Sequence, residues 1–230
     1  MFKRCTKTAT KIDFEGNQQL VDVIAILDQS GSMQSIASDT IGGFNSYLSE
    51  LQKQDLTINL TLVLFSTDSK IVWENKDVKT CEQLTNEIYR PSGGTALRDA
   101  LGKAIENAKI RVQNLSTEQK PGKVSFFIST DGEENSSRKY SEQQVKKMVE
   151  ECTKEYQWEF IFAGANIDAF AAGQSLGFKK ENIANIENDG VGQQAVYSVM
   201  AQRQSAKRCE SEKCESLQAV YSKKSALFRK

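Results

Sequence analysis

Histidine is missing altogether from this 230-residue chain. Its absence removes the Ser-His-Asp and Cys-His machineries, histidine-ligated zinc and a histidine general base. Any chemistry has to run on carboxylates, hydroxyls, lysines, thiols or a bound hard metal. Net charge is missing too: 30 basic and 30 acidic residues cancel, so the chain as a whole is no general polyanion binder. Nothing approaches the ~18 uninterrupted apolar residues of a transmembrane helix. The N-terminal stretch MFKRCTKTATKIDFEG carries basic residues with no apolar segment behind them. No secretory signal is therefore expected, and the expected location is cytoplasmic. Cysteines are few and odd in number: Cys5, Cys81, Cys152, Cys209 and Cys214. Their irregular spacing fits reduced thiols rather than a disulfide framework. Cys209 and Cys214, in RCESEKCES, have no second pair nearby to complete a closed zinc site.

What is present reads as strands alternating with amphipathic helices. VDVIAIL (21–27) is continuously apolar apart from Asp22, as a buried strand should be. Residues 36–53 place Ile36, Ile41, Phe44, Leu48 and Leu51 at helical spacing, with Gly42 and Gly43 as a local weakness. TINLTLVLF (57–65) predicts a second strand and KIVWE (70–74) its edge partner. CEQLTNEIY (81–89) predicts a short helix, and ALRDALGKAIENAKIRV a longer one with Leu97, Leu101, Ile105, Ala108 and Val112 on one stripe. KVSFFIST (123–130) and WEFIFAGA (158–165) read as buried strands. Between them lies a helix that Ser141 should cap, with Gln144 at the capping-box position. A short helix near 168–175 and a last strand at 182–186 complete the pattern, and from Gly190 onward the chain is helical and polar. The implied class is α/β: a doubly wound, mostly parallel sheet with a C-terminal helical appendage.

Ligands of such sheets bind at the carboxyl ends of the strands. Three polar stretches fall there: Asp28-Gln29-Ser30-Gly31-Ser32, Gly93-Gly94-Thr95 and Asp131-Gly132. They offer two carboxylates and three hydroxyls, all oxygen donors. Such a set suits magnesium, or manganese, which favour octahedral oxygen ligation and keep some water. Every second side chain of a tight turn can face one centre, and Gly31, Gly93 and Gly94 are expected to let the backbone bend around an ion. Two carboxylates leave a divalent ion incompletely neutralised, so it would still attract an acidic group from a partner.

DQSGSM, the threonine of PSGGTALRDA, and STDGEEN together resemble the metal-ion-dependent adhesion site of the von Willebrand factor A domain family. All five motif positions are filled, by Asp28, Ser30, Ser32, Thr95 and Asp131. DTIGGFNSYL and WEFIFAGAN look like the small stand-alone members from bacteria and phages. The resemblance implies a Rossmann-like sheet with one antiparallel edge strand and metal-dependent capture of a partner's Asp or Glu. It also implies hydroxyls that contact the ion directly and aspartates that often act through water. It spans about residues 20–187, so 1–19 read as an N-terminal extension and 188–230 as a helical tail. Intracellular relatives often serve as adaptors to ring-forming AAA+ ATPases or within multi-protein assemblies. The expectation is a non-enzymatic, metal-dependent protein-binding module without membrane contact.

Rival readings have less support. A haloacid-dehalogenase-like hydrolase needs a second acid two positions after Asp28, where Ser30 stands. PSGGTALRD lacks the Lys-Ser/Thr end of a phosphate-binding loop. A metal-assisted phosphohydrolase would need Glu133 or Glu134 as base, and both are expected to be solvated or to border the site. From Arg203 to Lys230 eight Lys/Arg face three Glu. That basic tail is the one feature favouring a nucleic-acid accessory role, and nucleic acid is not the expected partner.

Overall fold

The first strand explains why residues 21–27 are apolar but for Asp22. In β1 (Asn17–Asp28), Val23, Ala25 and Leu27 enter the core on one face of the sheet, and Ile24 and Ile26 enter it on the other. A period of two is thus hidden in a run that is buried on both sides. The structure is a computed structural model that describes residues 16–165, 167–205 and 215–229.

β1 lies between β2 (Thr57–Phe65) and β4 (Pro121–Thr130), parallel to both. β3 (Ser69–Asp77) runs antiparallel on the outer side of β2. On the other side β5 (Glu159–Ala165) and β6 (Ile183–Ile186) continue the parallel pairing. The order is β3-β2-β1-β4-β5-β6, the doubly wound sheet with one antiparallel edge strand that the sequence implies.

Helix α1 (Ala37–Gln52), entered through a 3-10 turn at Gly31–Ile36, covers one face together with α5 (Gly190–Ser205). The other face carries α2 (Leu97–Gln113), α3 (Glu142–Glu155) and α4 (Ala169–Ser175). Ser141 and Gln144 form the expected capping box at the start of α3, with bonds of 3.3 and 2.8 Å. The C-terminal helix α6 (Leu217–Phe228) lies across α5 and β6. Its Gln218 Oε1 accepts the Asn185 amide of β6 at 2.7 Å, and Tyr221 Oη accepts the Glu187 amide at 2.9 Å.

One expected helix does not form. Residues 81–89 are irregular with a turn at 86–88. Their backbone is held by α1 instead: Asn45 bonds both the amide and the carbonyl of Leu84, and Gln52 donates to the Cys81 carbonyl. Nine residues are too few for a helix without tertiary support, and α1 satisfies the polar groups that a helix would have paired. Cys81 and Cys152 are free and buried. Cys5, Cys209, Cys214 and the N-terminal residues 1–15 lie outside the described residues. Among the described residues no helix is long and apolar enough to cross a membrane.

Candidate functional site

β1 leads into α1 on one face and β4 leads towards α3 on the other, so a crevice opens where their carboxyl ends lie side by side. Asp28 ends β1 there, and Asp131 follows directly on β4.

Asp28 is wholly buried. Its Oδ1 accepts the Ser30 amide at 2.7 Å and its Oδ2 accepts the Thr130 hydroxyl at 2.5 Å. Burial pushes its carboxyl above the usual range; the bonds from Thr130 and Ser30 oppose that rise, and nearby Asp131 adds to it. The Asp28 carbonyl accepts the Tyr89 hydroxyl at 2.5 Å. From Asp28 the donor chain runs outward. Ser30 Oγ lies 3.1 Å from Ser32 Oγ, and Ser32 Oγ donates to Asp131 Oδ1 at 2.6 Å. Thr95 is brought against the same group: a Cβ built on Gly132 would sit 3.2 Å from Thr95 Oγ1 and 3.6 Å from Ser32 Oγ. Asp28, Ser30, Ser32 and Asp131 are therefore joined by a run of hydrogen bonds with Thr95 beside them, although the five come from three separate loops.

Two loops are stitched together from below. The Gly31 amide donates to the Gly93 carbonyl at 3.0 Å, and the Ser92 amide donates to the Gln29 carbonyl at 2.8 Å. Gly93 has φ +76°, and a Cβ on it would lie 2.7 Å from Thr67 Oγ1, so this turn requires glycine. Gly31 is different from the expectation. A Cβ there would meet only ordinary contact, 3.5 Å from the Gly93 carbonyl, so the bend between the serines does not depend on a missing side chain.

Asp131 is buried, and its Oδ2 has no hydrogen-bond partner. A buried carboxylate oxygen without a donor calls for a cation or water. The donors around it are hydroxyl and carboxylate oxygens, which fit a hard divalent ion. Among the described residues no three His, Cys, Asp or Glu side chains gather for a metal; a cation here would rely on the hydroxyls. Thr130 and Tyr89, which fix Asp28, were not readable as site residues. Thr130 had only its place before Asp131 as a signal, and Tyr89 had none.

An open α/β sheet with an oxygen-rich cluster over its switch point defines a domain of the doubly wound class, with its candidate site where such sheets ordinarily bind ligands. The chain belongs to the von Willebrand factor type A domain family, whose sequence model matches residues 22–207. No curated protein sequence matches it. Several solved structures share the fold. The pilus adhesin SpaC from Lactobacillus rhamnosus GG is 16% identical, with 80% of this chain and 30% of that chain covered and a TM-score of 0.60. Proximal thread matrix protein 1 from the mussel byssus, solved with a zinc-occupied MIDAS motif, is 12% identical, with 84% and 47% covered and a TM-score of 0.54. The ArnB paralog VWA2 from Sulfolobus acidocaldarius is 18% identical, with 79% and 44% covered and a TM-score of 0.52. The chain spans less than half the length of each of these proteins.

Proposed function

We propose that this chain is a metal-dependent protein-binding module, not an enzyme. Asp28, Ser30, Ser32, Thr95 and Asp131 would hold one divalent cation, magnesium or in its place manganese, and a partner's Asp or Glu would complete the ion's shell. The observation that carries this reading is the buried, unpartnered Asp131 Oδ2 beside three hydroxyls and a second carboxylate. Bound there, a cation supplies positive charge that an acidic side chain can meet. The chain's own residues supply orientation: Thr130 and the Ser30 amide lock the Asp28 carboxylate, and Ser32 links the first loop to Asp131. A zinc-occupied MIDAS motif in the mussel byssus protein adds support for divalent binding on this fold.

The phosphohydrolase reading loses a base. The Glu134 carboxylate accepts four hydrogen bonds from Arg98, Ser136 and Ser137, which leaves it poorly placed to take a proton from water. An AAA+ ATPase or a multi-protein assembly is the partner class we favour. The two free, buried thiols suit a reducing compartment such as the cytoplasm.

Titration with Mn2+, followed by the loss of the free-ion electron paramagnetic resonance signal, tests the site. The wild-type chain should bind one ion, and Asp131→Asn should bind at least about tenfold more weakly. Pull-downs in magnesium and in chelator test the function: partners recovered equally in both would sink the adaptor reading.

A further inference from the structure

Helix α2 begins without a cap of its own. Ala96 stands at the N-cap position and offers no side-chain acceptor. The first-turn amides are served instead by the loop after β4: Arg98 N donates to Glu134 Oε2 at 2.9 Å, and Asp99 N donates to Ser137 Oγ at 3.1 Å. The service is returned. Asp99 Oδ2 accepts the Arg138 amide at 2.9 Å, and its Oδ1 accepts those of Lys139 and Tyr140 at 2.9 and 3.0 Å. Two carboxylates, one on each side, thus bind the two loops to each other.

Thr95 sits inside this exchange. Its amide donates to Asn135 Oδ1 at 2.9 Å, and its carbonyl accepts the Asn135 and Ser136 amides at 3.0 and 3.2 Å. Both backbone groups of Thr95 are therefore paired with the loop that carries Asp131. Glu134 holds that loop in shape, accepting the Ser136 and Ser137 amides at 3.0 and 2.8 Å and the Ser137 hydroxyl at 2.7 Å. The approach is close: a Cβ on Gly94 would run into Ser136 Oγ and fall 2.8 Å from Asn135 Oδ1, so both side chains would have to move. Glu133 is exposed, whereas Glu134, expected to be solvated or to border the site, is turned inward onto α2.

We propose that Glu134 and Asn135, with Asp99 opposite, are positioning residues that hold Thr95 against Asp131 and so set the affinity of the cation site. This rests on the cation reading of the five oxygen donors. None of the three residues touches the ion; they act through the backbone of Thr95 and the first turn of α2. The physical reason is entropic. Thr95 and Asp131 are 36 positions apart, and without the clamp an ion would have to order two loops as it bound. With the clamp the Thr95 hydroxyl is already held against Gly132, the neighbour of Asp131.

The acceptor at position 135 provides the test, since Asn135 is exposed and its replacement leaves the core untouched. Asn135→Ala removes the acceptor for the Thr95 amide, and Asn135→Asp keeps it. Mn2+ affinity is measured by electron paramagnetic resonance for wild type and both variants, alongside melting in chelator. Asn135→Ala should bind about tenfold more weakly while melting near the wild-type temperature. Asn135→Asp should bind at or above the wild-type affinity. Glu134→Ala, which loses four acceptor contacts, should weaken binding at least as much as Asn135→Ala. Wild-type affinity in Asn135→Ala, or an equal loss in Asn135→Asp, would overturn the clamp alone. Failure of the wild-type chain to bind Mn2+ would overturn the cation reading and the clamp with it.

Discussion

Tyr89 donates its hydroxyl to the carbonyl of Asp28, 61 positions away. No local pattern around Tyr89 announces that bond. The five oxygen donors were readable because each sits in a polar turn at the end of a recognisable element. Thr130 and Tyr89 were not, because their role exists only once β4 and the loop carrying Tyr89 are packed beside the end of β1. Gly93 falls between: its glycine was noticeable, but its positive φ and the 2.7 Å approach to Thr67 are facts of the folded loop. Gly93→Ala should destabilise the protein by about 1–2 kcal/mol from the left-handed backbone, and by more if Thr67 cannot retreat. Chemical denaturation checks the stability. Mn2+ affinity should fall as well, because the Gly93 carbonyl is the acceptor for the Gly31 amide.

Between elements, the most informative pair is Asp22 on β1 and Arg111 on α2, 2.6 Å apart. Asp22 was visible in the sequence as the single polar residue of an apolar strand; its partner was not visible, because a helical arginine is ordinarily solvated. Burial pushes the Asp22 carboxyl above its ordinary 3.8, while the Arg111 charge and the bonds from Arg111 and Asn59 pull it back. Arg111→Met would leave a buried carboxylate without its cation and should cost about 3–5 kcal/mol at neutral pH. The sign with pH follows from linkage. A carboxyl whose native pKa lies above its unfolded one makes stability fall as pH rises through the interval between them. Without Arg111 the native value climbs further and that interval widens. The deficit of Arg111→Met against wild type should therefore shrink on acidification towards pH 4, as urea melts at the two pH values would reveal. A deficit independent of pH would assign the loss to packing of the arginine stem.

For the molecule as a whole, the sheet ends on one side at β6, which among the described residues pairs only with β5. An uncovered parallel edge invites pairing with another chain. Here α6 covers it, with Gln218 taking the Asn185 amide and Arg229 bonded to both Glu187 and Asp189 at 2.6 Å. Removing residues 216–230 should expose that edge and produce concentration-dependent self-association, measurable by size-exclusion chromatography with light scattering. A truncated chain that stays monomeric at high concentration would deny α6 this protective part. Helix α5 makes a related point. Gln193 and Gln204 gave it a polar look, yet both are buried between α1, α6 and the sheet.

Alternation of apolar strands with amphipathic helices was enough to specify the α/β class, the strand positions and the polar turns at their ends, because these depend on periodicity and on the local chemistry of turns. The irregular course of 81–89, the burial of α5, the partners of Asp22 and the mutual capping of α2 and the loop after β4 could not be read that way. Each depends on which distant backbone groups find acceptors after the sheet has formed. Hydrophobic periodicity is encoded over a few residues; the satisfaction of a buried polar group is a property of the assembled fold.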